Sequence, residues 1–233
     1  MKYQSISIFL PAYNEEENVE KAIKTAKKTL GSLFSDFEIL IIDDGSKDNT
    51  GKIAEKLAKG DSRIKVIHHN KNLGYGAALI SGIKNSSNEL VFFTDCDLQF
   101  DITEIKKLLK YIPEYDVVIG FRSRRRDPFA RLINAWAWKW LNRILFGLKV
   151  RDTNCAFKLF KKEALRNIEI KSEGAMVSAE ILIKLFRKGC KIKEVPVTHL
   201  PREKGHQTGA NPKVIFRAFS ELFKMYPELK KSK

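Results

Sequence analysis

The amino-acid sequence predicts an α/β protein with a mostly parallel, doubly wound sheet and helices on both faces. Short apolar runs of strand length at residues 5–10, 37–42, 64–67 and 90–94 alternate with longer amphipathic segments. Continuous apolar runs such as residues 37–42 are typical of parallel strands that helices cover on both sides. Polar residues follow several of these runs, and ligands of such sheets bind at the carboxyl ends of the strands. The pattern therefore predicts both the fold class and the edge of the sheet where a site lies.

The remaining elements follow from helix start and stop signals. The segment 16–30 begins with acidic residues and ends with lysines, and Asp48 or Asn49 can cap the next helix. Further strands are predicted at residues 117–119 and 192–197. Helices are predicted over residues 16–30, 48–59, 73–84, 101–111, 128–148, 175–188 and 212–225.

Length and cysteine usage indicate one intracellular-type domain. The 233 residues are enough for a single α/β core, and no repeat or linker divides them. Cys96, Cys155 and Cys190 show no CxxC spacing, which argues against a disulfide framework or a zinc site and favours a reducing compartment. The chain starts directly with a strand pattern and holds no run of about 18 apolar residues, so neither a signal peptide nor a membrane-spanning helix is expected.

The charge favours an anionic partner. Lys and Arg number 43 against 28 Asp and Glu, a net charge of +15. Such a charge suits nucleic acid, an anionic membrane surface or a phosphorylated substrate. RNP-like, zinc-finger and basic-zipper patterns are absent, which disfavours nucleic acid. A non-catalytic nucleic-acid-binding protein stays open as an alternative from the charge alone.

The sequence TDCDLQ at residues 94–99 is the most informative stretch. It directly follows the apolar run at 90–94, where a buried strand reaches the edge of the sheet. Asp95 and Asp97 are two residues apart, so both side chains of an extended segment point the same way. Two such carboxylates are costly unless a cation lies between them, and hard oxygen ligands suit Mg²⁺ or Mn²⁺. The stretch predicts a metal that holds a diphosphate, with a capped acidic turn as the alternative.

An aromatic segment at residues 128–148 predicts an amphipathic interfacial helix. It contains all three tryptophans of the chain together with interspersed Arg131, Lys139 and Arg143. A helix with much apolar girth and long basic side chains suits a membrane interface. We therefore expect an anionic membrane surface as a partner.

Taken together, these motifs resemble those of the family 2 glycosyltransferases, and within them the dolichyl- or polyprenyl-phosphate sugar synthases. The matching pieces, in order, are PAYNEE at 11–16, DDGS at 43–46, NLGYGAA at 72–78, TDCDLQ at 94–99 and RDTNCAFKLF at 151–160. The resemblance implies a GT-A fold, Rossmann-like, over a single domain of residues 1–233. Residues 1–120 would form its nucleotide-sugar half and residues 121–233 its acceptor half.

The resemblance implies roles for the residues of the donor side. Asp97 would touch the metal directly, Asp95 would lie nearer the ribose or reach the metal through water, and Gln99 would be a further ligand or contact the sugar. Either Asp43 or Asp44 would accept a hydrogen bond from the nucleobase, because a carboxylate only accepts. The base and ribose contacts that the family also implies fall on Pro11, Tyr13 and Glu15.

On the acceptor side, the resemblance points to arginines. Arg122 and Arg131 would meet the acceptor phosphate, since guanidinium groups match phosphate oxygens in bidentate fashion. Asn134 lies one helical turn beyond Arg131. Arg202 begins a glycine-containing segment that corresponds to a loop closing over donor and acceptor phosphate in relatives. The basic run at 124–126 is as consistent with a solvated loop.

These roles predict a metal-dependent, inverting glycosyltransferase, with Asp97, Arg122 and Arg131 as its catalytic residues. A hexose would pass from a nucleotide-sugar donor, UDP-glucose or GDP-mannose, to a polyprenyl phosphate. The expected place is the cytoplasmic face of a membrane, with peripheral attachment and without a role for nucleic acid. The alternative is a family 2 enzyme that acts on a soluble or cell-envelope glycan.

Overall fold

The structure is a computed structural model that describes residues 3–123, 129–174, 176–202, 204 and 212–231. For residues 129–133, 212–217 and 230–231 the description covers the backbone alone. The predicted α/β class is confirmed. The strands, in chain order, are β1 Ser5–Ala12, β2 Asp36–Asp43, β3 Ile64–His68, β4 Leu90–Thr94, β5 Val117–Arg122, β6 Phe157–Lys161 and β7 Ile192–Val197.

Helices connect most of these strands. They are α1 Val19–Gly31, α2 Thr50–Lys59, α3 Tyr75–Asn85, α4 Ile105–Leu109, α5 Phe129–Phe146, α6 Lys162–Leu165, α7 Val177–Arg187 and α8 Pro212–Lys231. A short 3-10 turn, Ile102–Glu104, precedes α4, and the predicted cap Asp101 accepts a hydrogen bond from Thr103 N at 2.9 Å. Helix α1 begins at Val19, later than predicted, because residues 16–18 form a turn in which Asn18 N donates to Glu15 O at 2.9 Å.

The strands form one seven-stranded sheet in the order β3-β2-β1-β4-β6-β5-β7. Neighbours are parallel except for β6, which is antiparallel to both β4 and β5. Because β6 is antiparallel to both, β4 and β5 run in the same direction and their carboxyl ends share one edge. The residues of β6 were predicted as a motif and not as a strand. Pairing on both sides by strands distant in sequence, rather than local pattern, makes this segment extended.

The core of the sheet is aromatic at its centre. The Phe9 and Phe93 rings of β1 and β4 stack with centroids 5.3 Å apart, and Phe160 of β6 continues the stack at 6.3 Å from Phe93. All three side chains are buried. This row of rings fixes the spacing of β4, the strand that leads into Asp95 and Asp97.

Helix α5 occupies most of the predicted interfacial segment and has two distinct faces. Trp138 is buried and its ring lies 5.2 Å from that of Phe219 in α8. Trp136, Trp140 and Ile144 follow one another at four-residue spacing and are exposed by 62%, 37% and 74%. Within the described ranges, no helix combines the length and apolarity needed to cross a membrane.

Close packing of α3 on the sheet depends on a glycine. A Cβ added at Gly82 would lie 2.3 Å from the Phe9 ring, which is enclosed in the core. The same addition at Gly60, which caps α2, would meet its nearest neighbour at 3.6 Å.

We predict that Gly82→Ala lowers the free energy of unfolding by more than about 2 kcal/mol, because an overpacked core must shift backbone or rings. Gly60→Ala is the matched control and should change stability by less than about 1 kcal/mol. Urea unfolding followed by circular dichroism measures both. Equal stability of the two variants would contradict the close approach of α3 to β1.

Candidate functional site

Two loops at the carboxyl edge of the sheet are joined by hydrogen bonds between their backbones and side chains. The loop after β1 and the loop after β2 exchange contacts in both directions: Asn14 N donates to Ser46 Oγ at 3.0 Å, and Lys47 N donates to Asn14 Oδ1 at 2.8 Å. Glu15 N donates to Thr50 Oγ1 at 2.7 Å. These contacts hold the predicted donor loops at one place on the edge.

Acidic side chains converge beside Arg202. Its Nη1 lies 3.5 Å from Asp97 Oδ2, and its Nη2 donates to Glu15 Oε1. Asn18 Nδ2 donates to the other Glu15 oxygen at 2.7 Å. The predicted donor residues Glu15 and Asp97 are therefore brought together, with the guanidinium of Arg202 between carboxylates that repel each other.

Asp95 is held from a different side than Asp97. The half-buried Tyr75, at the start of α3, donates its hydroxyl to Asp95 Oδ1 at 2.9 Å. Asp97 instead caps its own turn, since its Oδ1 accepts from Gln99 N at 3.1 Å. Leu98, between Asp97 and Gln99, adopts a φ of 60°, which turns the chain sharply after the acidic pair. The two acids thus have separate partners.

The acidic pair carries charge that the protein only partly compensates. Burial, followed by the nearby Asp97 carboxylate, raises the pKa of Asp95 to about 7, although Tyr75 and Lys158 act in the opposite direction. Burial also raises the pKa of Asp97, with Glu15 adding to the effect and Arg202 opposing it. A cation at this position would favour the charged form of both acids.

Gln99 connects the acidic turn to the segment after β7. Its backbone oxygen accepts from Leu200 N at 2.8 Å, and its Nε2 donates to Leu200 O at 3.3 Å. An isolated bridge between Phe100 and His199 extends this pairing. Arg202 follows two residues later, so this contact explains how a residue from the end of the chain reaches Asp97.

Asp43 and Asp44 have different surroundings. Asp44 accepts from Leu73 N and Gly74 N, both at 2.9 Å, and contacts His69 Nδ1 at 2.7 Å. Asp43 accepts from Ser46 N at 3.0 Å and contacts His68 Nδ1 at 2.9 Å. Adjacent residues at the end of a strand point to opposite faces, so only one of the two can face any given ligand.

Pro11 and Tyr13 lie beside these acids on the first strand and loop. Pro11 is buried and pairs with Ile42 of β2, and β1 continues past it to Ala12, so Pro11 does not end the strand. Tyr13 is half-buried in the loop that follows.

Of the predicted acceptor residues, Arg202 contacts the acidic cluster, whereas Arg122 lies on β5, which β6 separates from β4. Arg122, the last residue of β5, makes a bidentate pair with Asp152: Nε to Oδ2 at 2.7 Å and Nη2 to Oδ1 at 2.8 Å. The side chains are exposed by only 10% and 7%. Asn134 is exposed on α5, and the side chain of Arg131 lies outside the described residues, as do residues 124–128.

The acids fit a divalent metal bound with the help of a ligand. Within the described part of the chain, no group of three or more His, Cys, Asp or Glu side chains is arranged as a metal centre. Mg²⁺ and similar ions are commonly held by one or two carboxylates together with phosphate oxygens. Asp97 and Asp95 match that donor set, and burial raises the pKa of both.

Two residues at this region have no role predicted from the sequence. Tyr75 contacts Asp95, and Lys158 of β6 is 1% exposed with its ammonium near the site. Both lie inside quoted motifs, yet their contacts join segments that are distant in the sequence. An uninterrupted apolar context around a single lysine, FKLF, was the one local signal.

The fold is that of a doubly wound α/β protein, and its carboxyl edge carries acids that suit a cation together with a phosphate-bearing ligand. The profile of the family "Glycosyl transferase family 2" matches residues 7–169. The chain therefore belongs to glycosyl transferase family 2, and the predicted resemblance is confirmed.

Curated relatives support this membership. The chain is 30% identical over 207 residues to the glycosyltransferase AglD of Haloferax volcanii. This alignment covers 84% of this chain and 33% of AglD. The chain is 35% identical over 176 residues to CsbB of Bacillus subtilis, which is named as a glycosyltransferase. This second alignment covers 75% of this chain and 53% of CsbB. The chain thus spans a third to about half of these relatives.

Solved structures confirm the fold. Glucosyl-3-phosphoglycerate synthase from Mycobacterium tuberculosis, in complex with phosphoglyceric acid, superimposes with a TM-score of 0.75 at 20% identity, covering 96% of this chain and 80% of the other. The same enzyme with Mn²⁺, UDP and phosphoglyceric acid gives a TM-score of 0.73, covering 96% and 78%. The ions named for these structures, Mn²⁺ and Mg²⁺, are those predicted from Asp95 and Asp97.

We predict that Asp95→Asn stabilises the metal-free protein at neutral pH. The folded-state pKa is raised above the ordinary value, so the folded state binds a proton that the unfolded chain lacks between pH about 4 and about 7. Wild-type stability therefore falls as the pH rises through this window. The uncharged amide avoids the loss, and the variant should gain about 2 kcal/mol above pH 7, after allowance for partial exposure.

Thermal unfolding in chelator, at pH steps from 4 to 8, measures this difference as a rise of roughly 4–8 °C in Tm. Asp36→Asn is the control, because Asp36 is an exposed acid at the opposite end of β2. If the Tm difference between Asp95→Asn and wild type does not increase as the pH rises, the raised pKa of Asp95 is contradicted.

Proposed function

We propose that the protein transfers a hexose from a nucleoside-diphosphate sugar to a polyprenyl phosphate, with inversion and with a divalent metal. One observation carries the proposal: an acidic turn after β4 and a fixed arginine after β5 lie on the same edge of the sheet. The acidic turn suits a metal that binds a diphosphate, and the arginine suits an incoming phosphate. Family membership supports the glycosyl transfer itself.

The donor side would use the acidic turn and the two joined loops. A bound metal would neutralise negative charge that develops on the leaving diphosphate. Asp97 would hold it directly, while Asp95 and Gln99 would complete the site. Glu15, Tyr13 and Pro11 would border the nucleoside, and one of the two adjacent acids after β2 would read the base.

The acceptor side would need position more than proton transfer. A phosphate monoester is already anionic at neutral pH, so no general base must remove a proton from it. The bidentate contact with Asp152 fixes the Arg122 guanidinium in place before any ligand binds. Arg131 and Asn134 would extend this position along α5, and Arg202 would bridge the two phosphates.

The exposed stripe of α5 supports an acceptor that resides in a membrane. Trp136, Trp140 and Ile144 present aromatic and apolar surface to solvent. The Arg143 guanidinium lies 5.1 Å from the Trp140 ring centroid, which adds positive charge to the same stripe. Tryptophan with basic neighbours is suited to an anionic lipid surface, so we propose peripheral attachment to the cytoplasmic face through α5.

A soluble acceptor is the second candidate. The structural neighbour from Mycobacterium tuberculosis was solved with phosphoglyceric acid, a soluble phosphate ester, and with UDP-glucose. Its likeness supports a phosphate-bearing acceptor in general, which a lipid phosphate and a soluble ester share. A cell-envelope glycan belongs to the same alternative. UDP-glucose and GDP-mannose are the donors that we propose to test first.

We predict that the wild-type protein, given Mn²⁺, polyprenyl phosphate and radiolabelled UDP-glucose or GDP-mannose, moves label into the organic phase. Asp97→Ala should lower this transfer by at least about 100-fold, because the metal loses its direct ligand. Asp101→Ala, a capping acid four residues further on, is the control and should retain activity. Label that appears only in the aqueous phase, on a soluble acceptor, would favour the second candidate.

We also predict that the α5 stripe binds anionic vesicles. Wild-type protein should co-sediment with vesicles that contain phosphatidylglycerol more than with neutral vesicles, and high salt should weaken binding. The double substitution Trp136→Ser and Ile144→Ser should reduce the bound fraction by about tenfold, because the apolar contribution to vesicle binding is lost. Tyr111→Ser, at an exposed aromatic elsewhere, is the control. Equal sedimentation of both variants would rule out α5 as the attachment surface.

A further inference from the structure

A buried lysine lies between the donor and acceptor sides of the site. Lys158 is only 1% exposed although it is a charged residue, and its immediate neighbours on β6, Phe157 and Leu159, are apolar. Its register partners are Phe93 of β4 and Ile119 of β5, so it occupies the middle of the sheet. Burial lowers the pKa of its ammonium to about 8. An isolated buried charge is costly, and an apolar residue of similar size would be expected if packing were the only requirement.

The ammonium contacts both neighbouring parts of the site. Nζ donates to Cys155 O at 2.6 Å, and Cys155 N in turn donates to Asp152 O at 3.4 Å. Nζ also lies 5.0 Å from the centroid of the Phe93 ring, two residues before Asp95. One side of Lys158 therefore supports the turn that holds Arg122, and the other supports the strand that leads to the acidic pair.

The charges around Lys158 agree with this position. Asp95 and Asp152 are among the acids whose charge favours its ammonium form, and Arg122 opposes it. Lys158 thus belongs to an alternating arrangement of charges that runs from the acid after β4 to the arginine after β5. Its field acts on both ends, because charges within a poorly solvated interior are weakly screened.

We propose that Lys158 is a positioning residue for glycosyl transfer, which holds the turn of Asp152 and Arg122 in register with the metal-binding acids. The proposal rests on the proposed function for its account of the acceptor. The residue touches neither donor nor acceptor in this account. It sets the relative position of the groups that do.

The test compares Lys158→Met with Lys161→Met on the same strand. Methionine keeps the length and apolar stem of the lysine and removes the charge. Lys161 is partly exposed and pairs with Asp116 at 3.1 Å, so its replacement controls for the loss of a β6 lysine. For each variant, Tm, acceptor-independent hydrolysis of the donor with Mn²⁺, and kcat and KM for transfer are measured.

We expect Lys158→Met to keep or raise the Tm, to lower kcat for transfer by 10- to 100-fold, and to raise the KM for the acceptor. Lys161→Met should keep both kinetic constants within about threefold of wild type. Lys158→Arg, which restores a cation, should recover part of kcat. Wild-type kinetics in Lys158→Met, or a kcat loss that merely follows a lower Tm, would overturn the proposal.

Donor hydrolysis separates this proposal from the proposed function. If wild-type protein hydrolyses a nucleotide sugar but transfers nothing to polyprenyl phosphate, the acceptor assignment fails. Lys158 is then judged from hydrolysis alone, where Lys158→Met should still be slower than Lys161→Met by at least fivefold. Equal hydrolysis by the two variants would overturn the role of Lys158 whatever the acceptor is.

Discussion

The burial of negative charge at the end of β4 is the constraint on which the site depends. Asp95 and Asp97 lie where a fully buried strand leaves the core, and burial raises the pKa of both. Three neighbouring groups that contact these acids offset part of that cost: the Tyr75 hydroxyl, the Gln99 backbone N–H and the Arg202 guanidinium. The negative charge that these contacts leave uncompensated would favour the binding of a cation together with its ligand.

Much of the fold could be predicted because it is encoded locally. Strands β1 to β5 and β7 coincide with short predicted segments rich in aliphatic and aromatic residues, and the Asp101 cap and the charged helix ends are visible in the sequence. The acidic edge followed from the same logic, since parallel strands bring their carboxyl ends together. Family membership confirmed what the ordered motifs indicated.

The rest could not be predicted because it depends on contacts between distant segments. Nothing near residue 157 indicates that β6 inserts between β4 and β5, or that Lys158 is enclosed there. The Gln99 to Leu200 pairing likewise spans half of the chain. By contrast, the opposite directions of the Asp43 and Asp44 side chains follow from the two-residue period of a strand. This period limits a base contact to one of the two acids.

The position of β6 also has a consequence for how the chain acquires its structure. Until residue 161 has been synthesised, β4 lacks its neighbour on one side and β5 has no link to the rest of the sheet. Residues 1–120 would thus leave the edge of an apolar central strand open, which is a hazard for aggregation. The proposed nucleotide-sugar half, residues 1–120, is therefore not expected to fold as a separate unit. The family profile, which ends at residue 169, extends just past β6, the strand that joins β5 to β4.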